Sequence, residues 1–259
     1  MGNIFQELQM LSMTSNNPIL ETRKGLNEIV SIFKNRECYE QEIKVCAEKL
    51  RNLKMETFVN ADAFFVQPDV TSLVLPEDLR HDSYGFCRDE YILFNGRLVY
   101  PVKDCKGDVM GFCGYDKYSD VKYLDSKNAG YKAKTNTFYG MEMLPVYYRS
   151  DKPVFFVEGI VCCLYLRQEG FQSFATLGSY LTPYVITIAS RFGNRAVFVT
   201  DSDESGNKYR RQVRRVLPVA RALQSTIAKD VDDSRLVDPE IVHEFEKFSN
   251  PFYKSSYFR

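Results

Sequence analysis

Between residues 153 and 228 short apolar runs alternate with helix-length segments, and this rhythm restricts the fold more than any other feature of the chain. Pro153 to Val157 reads as a buried strand ending in Glu158-Gly159, and Ile160 to Glu169 as a helix stopped by Gly170. Gln172 to Leu177 reads as a strand, Tyr180 to Phe192 as a helix, and Arg195 to Thr200 as a strand ending in Asp201-Ser202-Asp203. A basic helix from Asn207 to about Leu223, with a break at Pro218, and a last strand from Gln224 to Ala228 complete the series. Strands and helices alternating at these lengths form a parallel sheet with right-handed crossovers.

The rest of the chain has other rhythms. Residues 1–57 read as helical, because Leu26, Val30 and Phe33, and again Ile43, Cys46 and Leu50, recur at helical spacing among charges of both signs. Residues 58–150 read as a mixed sheet. Tyr91 to Phe94 and Arg97 to Val102 flank Asn95-Gly96, which suits a two-residue hairpin turn, and Lys103 to Asp108 forms a second turn before Val109 to Phe112. Residues 236–259 form a short tail with an aromatic end, Phe252 to Arg259, which is expected either to dock or to hang free. The fold class expected is therefore α/β (α+β), a parallel-sheet domain over 151–235 packed against a mixed-sheet subdomain with helices.

Composition excludes several functions. Lys+Arg and Asp+Glu both number 34, so nucleic-acid binding would need local rather than global positive charge. Seven scattered Cys and two His provide no clustered zinc ligands. The odd Cys count and the lack of a leader lead to the expectation of a reduced, cytoplasmic protein. No apolar run reaches the roughly 18 residues of a membrane span, so no membrane partner is expected.

In an open parallel sheet, ligands gather at the carboxyl ends of the strands. Glu158, Asp201, Asp203, Asp230 and Asp232 follow three of the expected strands and would converge at one edge. Carboxylates so crowded need cations, and hard oxygen donors suit Mg²⁺ or Mn²⁺, which bridge phosphates. Phosphoryl-transfer chemistry follows from such a site. An Asp-x-Asp after a strand is also common in ordinary loops; it is the combination of three acidic strand ends that carries weight. Gly206 frees the backbone at a helix start for close approach of a phosphate.

Val157-Glu158-Gly159, Ala175 to Ser179 and Asp201-Ser202-Asp203-Glu204-Ser205-Gly206 together resemble the TOPRIM domain of DnaG-type primases, topoisomerases and some nucleases. The stretch from Arg97 to Gly114 resembles the primase pattern RxxFPIxDxxGxxxGFGG, and Lys122 to Ser126, Lys134 and Phe138-Tyr139-Gly140 resemble the pattern after it. The resemblance runs over about residues 90–235 and singles out the primase branch. It implies the catalytic core of a DNA-directed RNA polymerase that makes short primers on single-stranded DNA from NTPs. By position it implies Glu158, Asp201 and Asp203 as catalytic acids, Asp201, Asp203, Asp230 and Asp232 as metal ligands, and Arg97, Lys122 and Lys134 as contacts to nucleic acid or nucleotide. Three departures stand out. Cys162 occupies the place of a family Asp, Tyr115 that of a family Arg, and the zinc-binding and helicase-binding domains are not recognised. This compact form resembles phage-encoded primases, and a replicative helicase or a separate zinc-binding recognition protein is an expected partner.

Lys208, Arg211 and Arg215 share one face of the basic helix. With no counter-charge noted on that helix, a phosphate backbone accounts for them better than solvent does. Lys103 belongs to a second basic group with Lys106, Lys122, Lys132 and Lys134, partly offset by Asp104, Asp108 and Asp125. The expected arrangement is a cleft between the two sheets, with Tyr115 or Tyr131 stacking on bases. Two alternatives stay open: a metal-dependent TOPRIM nuclease, and a non-catalytic module that grips single strands or a helicase.

Overall fold

The computed structural model describes residues 17–50, 53–68, 74–88, 91–126, 137–250, 252–254 and 258. The helices and strands run α1 (Asn17–Lys34), α2 (Tyr39–Lys49), α3 (Met55–Asn60), β1 (Phe64–Phe65), β2 (Cys87–Arg88), β3 (Tyr91–Ile92), β4 (Leu98–Lys103), β5 (Val109–Tyr115) and β6 (Tyr123–Asp125). They continue with α4 (Leu144–Tyr148), β7 (Val154–Val157), α5 (Ile160–Gln168), β8 (Gln172–Ala175), α6 (Pro183–Phe192), β9 (Ala196–Thr200), α7 (Glu204–Val216), β10 (Arg221–Gln224), α8 (Val231–Val237) and α9 (Val242–Lys247). The chain forms two compact units, Met1–Glu40 with Asp62–Lys132, and Gln41–Ala61 with Ala133–Arg259. This differs from a division at residues 57, 150 and 235: the helical N-terminal segment is shared between the units, and the tail belongs to the second.

The first unit is built on a sheet of order β1-β4-β5-β6, antiparallel throughout. Leu26, Ile29, Val30 and Phe33 form the buried stripe of α1. Their spacing places them on one face, and that face meets an aromatic core. In that core Phe33 stacks on Phe64 at 4.8 Å, and Phe86 meets Phe112 edge-on at 4.9 Å.

The Asn95-Gly96 turn is present, with Gly96 at φ +71° and the Arg97 amide donating to the Phe94 carbonyl. It does not join a hairpin of β3 and β4. β3 pairs with β2 instead, while β4 pairs with β1 and β5. Val66 exchanges backbone hydrogen bonds with Arg97 and Gly96, so the ladder position beside the turn is already filled.

The turn from Lys103 to Asp108 is organised by Asp104, whose Oδ1 accepts from the Lys106 and Asp108 amides. Asp104 is buried, and its counter-charge is Arg23 of α1, 3.2 Å away, which also meets Asp108 at 3.3 Å. These two acids therefore answer an arginine far away in sequence rather than the neighbouring lysines.

The second unit carries a four-stranded parallel sheet of order β10-β9-β7-β8. Every residue of the central strands β7 and β9 is buried, as expected for strands covered on both faces. α5 is buried from Ile160 to Leu166. The Thr182 hydroxyl caps α6, accepting from the Val185 amide ahead of a first-turn Pro183. α3 joins this unit because the Lys54 amide and the Thr57 hydroxyl both donate to the Gln168 side chain of α5.

Two expected boundaries move. α7 starts at Glu204 and ends at Val216, and Leu217-Pro218 closes it, so Arg221 lies in a strand and not in the basic helix. β10 covers Arg221–Gln224 rather than 224–228. Pro218 cannot continue the helix ladder, and the chain uses it to turn back into the sheet.

Arg23→Ala would leave the Asp104 carboxylate buried without its partner, a change that costs about 3 kcal/mol. Urea unfolding of the variant is expected to show a loss of that size, and a shift below about 0.5 kcal/mol would show that the pair is solvated instead.

Candidate active site

β7 and β9 are parallel neighbours, so the residues just after them, Glu158 and Asp201, come side by side. The Glu158 carboxylate accepts from the Asp201 amide at 3.0 Å. The segment after β8 wraps round Glu158: the Thr176 amide donates to the Val157 carbonyl, and the Leu177 amide to the Glu158 carbonyl. Leu177 pays for this course with φ +61°, a left-handed conformation rare for a branched side chain. Ser179 then reaches Ser205 at the start of α7, hydroxyl to hydroxyl at 2.5 Å.

Asp203 is the N-cap of α7. Its Oδ1 accepts from the Gly206 amide at 2.9 Å, which holds its carboxyl below the usual range, and its Oδ2 meets the Lys229 ammonium at 3.4 Å. Asp230 is the N-cap of α8 and accepts from the Asp233 amide at 2.8 Å. Asp230 and Asp232 thus mark the start of a helix six and eight residues beyond β10, rather than a strand end.

The electrostatics record the crowding. Burial first, then Glu158, Asp230 and Asp203, push Asp201 up to about 8. Burial also raises Glu158 and Asp230, with the Asp201 and Asp233 amides pulling the other way. Burial works against the Lys229 ammonium, but Asp203, Asp201 and Asp230 together raise it. Lys229 is the built-in counter-cation of this cluster, and sequence reasoning gave it no role. Its only sequence signal is its place beside Asp230.

Three further residues hold the site together. A Cβ at Gly206 would collide with the Asp201 backbone. The glycine therefore serves the seating of α7 on the acidic loop, and its amide is taken by Asp203. Gln224, buried at the end of β10, donates to the Asp201 carbonyl at 3.0 Å. Cys162 is buried in the first turn of α5 under the influence of Asp230, Asp201 and Asp232, and burial raises its thiol well above the ordinary range. It stands within the acidic cluster as an uncharged group.

Glu158, Asp201, Asp203 and Asp230 have the donor chemistry of a hard divalent-cation site. Among the described residues nothing donates to the Asp201 carboxylate. Yet among those residues no three acidic, His or Cys side chains stand close enough to hold an ion as they are. The expected convergence of five carboxylates is therefore incomplete. Asp203 is committed to Gly206 and Lys229, and Asp232, in the first turn of α8, lies near Cys162.

The expected basic residues fall in separate places. In the first unit, Arg97 donates to the Val121 and Lys122 carbonyls (2.9 and 3.3 Å) and to the Ser119 hydroxyl. It thereby fixes the turn that presents the exposed Lys122. Lys103 is held, with Lys34, by Asp62. Tyr115 packs against Tyr123 at 4.9 Å. Lys134, Lys132 and Tyr131 lie outside the described residues.

In the second unit α7 does carry a counter-charge, contrary to the sequence expectation: Lys208 pairs with Glu204 one turn earlier at 2.7 Å. Arg211 and Arg215 are exposed, and among the described residues neither has a partner. The Phe138-Tyr139-Gly140 stretch is held by Arg167, which binds the Ser173 carbonyl and Glu142 and lies over the Tyr139 and Tyr147 rings. Gly140, at φ +98°, leaves no room for a side chain beside that guanidinium.

The chain thus joins an antiparallel sheet with a lysine-bearing turn to a parallel sheet with acids at its carboxyl edge. Comparisons make this specific. Residues 79–144 match the family described as the DNA primase catalytic core, N-terminal domain. The DNA primase of Aquifex aeolicus is 30% identical over 135 residues, which is 51% of this chain and 26% of that protein. The DNA primase of Borreliella burgdorferi is 32% identical over 124 residues, 44% of this chain and 22% of that protein. The chain thus spans about a quarter or less of these relatives.

A solved DnaG primase catalytic domain bound to ssDNA superposes with a TM-score of 0.72 at 22% identity, covering 90% of this chain and 79% of that one. The RNA polymerase domain of Mycobacterium tuberculosis DnaG gives 0.69 at 15% identity, covering 92% and 84%. The chain has the fold of the DnaG primase catalytic core.

Metal-free protein tests the crowding at Asp201. A carboxyl raised from its unfolded value near ~4 to about 8 holds an extra proton when folded. Its contribution to stability is complete below the unfolded value and is lost as pH rises through the folded one. The melting temperature of Asp201→Asn relative to wild type should therefore climb between pH 5 and 9, read by circular dichroism in EDTA. A difference that stays constant with pH would show that Asp201 is not crowded.

Proposed function

We propose that this chain is the catalytic core of a DNA primase, which joins NTPs into short RNA primers on a single-stranded DNA template by nucleotidyl transfer dependent on Mg²⁺ or Mn²⁺. One observation carries this reading: parallel pairing of β7 with β9 sets Glu158 beside Asp201 at the carboxyl edge, with Asp203 and Asp230 at the N-caps of the neighbouring helices, in a chain whose residues 79–144 match the N-terminal domain of the primase catalytic core.

When bound, the divalent cation would neutralise the triphosphate and stabilise charge on the reacting oxygens. Asp201 would hold it after giving up its proton, with Glu158 and Asp230 beside it. Asp203 would join them once Lys229 swings away, leaving that ammonium to face incoming phosphate. In that transfer the 3′-hydroxyl of the growing primer would bond to the α-phosphorus as the α–β phosphoanhydride bond breaks, the hydroxyl proton passing to water and pyrophosphate leaving.

Lys122, presented by the turn that Arg97 fixes, would contact template or nucleotide phosphates, as would Lys134. Arg211 and Arg215, with Lys208 less free, would hold the template backbone by charge and so with strong salt dependence. Lys103 would contribute only if released from Asp62. Asp232, beside Cys162, would act on the ion at most through charge. A replicative helicase or a separate recognition protein would be a partner in priming.

Purified protein given Mn²⁺ or Mg²⁺, single-stranded DNA and NTPs should make labelled oligoribonucleotides, and Asp201→Ala should lower the yield by at least 100-fold with the fold intact. Degradation of the DNA without oligoribonucleotide synthesis would support a nuclease instead. Single-strand binding with neither reaction would support a non-catalytic module, a reading that Cys162 in place of an acid favours mildly.

A further inference from the structure

Asp230 is carried on a loop that has to come back to the sheet from the end of β10. A chain of buried hydroxyls holds that loop. Ser225, immediately after β10, and Ser234 of α8 are both buried, and their hydroxyl oxygens lie 2.6 Å apart. The Ser234 hydroxyl donates to the Asp230 carbonyl at 2.7 Å. Its single proton is thus committed, so the proton between the two serines comes from Ser225. The Ser225 oxygen in turn accepts from the Ile227 and Ala228 amides, at 3.4 and 3.3 Å. One side chain therefore folds the loop back on itself and donates to Ser234, whose own hydroxyl holds the carbonyl of Asp230, the N-cap of α8.

The same loop is tied to the other acids. The Ser202 amide donates to the Lys229 carbonyl at 2.6 Å, and its hydroxyl donates to the Ala228 carbonyl at 3.1 Å. Wherever the 225–230 loop sits, the Asp201-Ser202-Asp203 segment is pinned to it.

The chain's aromatic tail closes this arrangement. Phe258 forms an antiparallel bridge with Ser225, and its buried ring packs on Phe245 and Phe248 at 5.3 and 5.4 Å. β10 is an edge strand, and an added backbone segment covers an edge that would otherwise be open. Arg221, at the other end of β10, binds the Phe248 and Tyr253 carbonyls and lies over the Phe248 ring, which directs the tail to this edge.

We propose that Ser225, Ser234 and Phe258 are positioning residues: the hydroxyl relay, clamped by the tail, sets Asp230 at the place where a divalent cation would bind. This rests on the reading of the acids as a cation site, and the experiment separates the two. The full chain and its Ser225→Ala and Ser225→Thr variants would be compared by amide hydrogen exchange without metal and by Mn²⁺ titration followed by electron paramagnetic resonance.

Ser225→Ala is expected to speed exchange at least tenfold at Ile227, Ala228 and Asp233 while β7 and β9 keep their protection, and to weaken Mn²⁺ binding about tenfold, the effect of one lost hydrogen bond. Ser225→Thr, which keeps the hydroxyl, should restore both. Unchanged protection and unchanged Mn²⁺ affinity in Ser225→Ala would overturn the proposal. If wild type binds no Mn²⁺, it is the cation reading that falls, and the exchange data still decide whether the relay holds the loop. Should Ser225→Ala lose protection across the sheet, Phe258→Ala, which removes only the ring of the tail, must give the local loosening and the weaker Mn²⁺ binding, or the proposal fails.

Discussion

Parallel pairing of β7 with β9 forces Glu158 and Asp201 to share one edge, and the rest of the second unit is arranged around the cost of doing so. Two carboxylates at adjacent strand ends repel, and burial removes the water that would screen them. The fold answers with a backbone amide for Glu158, an N-cap role for each of Asp203 and Asp230, and the Lys229 ammonium near all four. Among the described residues nothing donates to the Asp201 carboxyl, and burial with crowding pushes it up to about 8, so it favours its protonated form at neutral pH. A protein that needed this cluster only for structure would gain by replacing Asp201 with a neutral side chain. Holding it in that state suits a group waiting for a cation.

Gly206 and Gln224 show how narrowly the cluster is built. α7 begins so close to Asp201 that no side chain fits at Gly206, and Gln224 takes the Asp201 carbonyl from the neighbouring strand. The first turn of the basic helix and the end of β10 are thus both packed directly on the acidic loop. Lys229 is held more loosely, since its ion pair with Asp203 is half-exposed and such pairs contribute little.

The parallel sheet was legible in the sequence because each central strand is an unbroken apolar run closed by glycine or acid, and the crossover helices have the right length. The acids at β7 and β9 were legible for the same reason. Other features depend on partners far away in sequence. Asn95-Gly96 announces a chain reversal but not which strand β4 will choose, and Val66 made that choice. Arg23 gives no local hint that it answers Asp104. Lys229 and Ser225 are ordinary residues in a loop until the tertiary fold brings Asp203 to one and Phe258 to the other. The lysine pattern of the first unit was half legible: Lys122 is presented openly, whereas Lys103 is occupied by Asp62.

The central claim is that these carboxylates hold a divalent cation. Crystals grown with millimolar Mn²⁺ and measured at a wavelength where manganese scatters anomalously test it directly. The account predicts an anomalous peak bonded to the Asp201 carboxylate, at about 2.1 Å, with Lys229 moved off Asp203. A peak bonded only to other residues, or no peak with Lys229 still paired to Asp203, would contradict it.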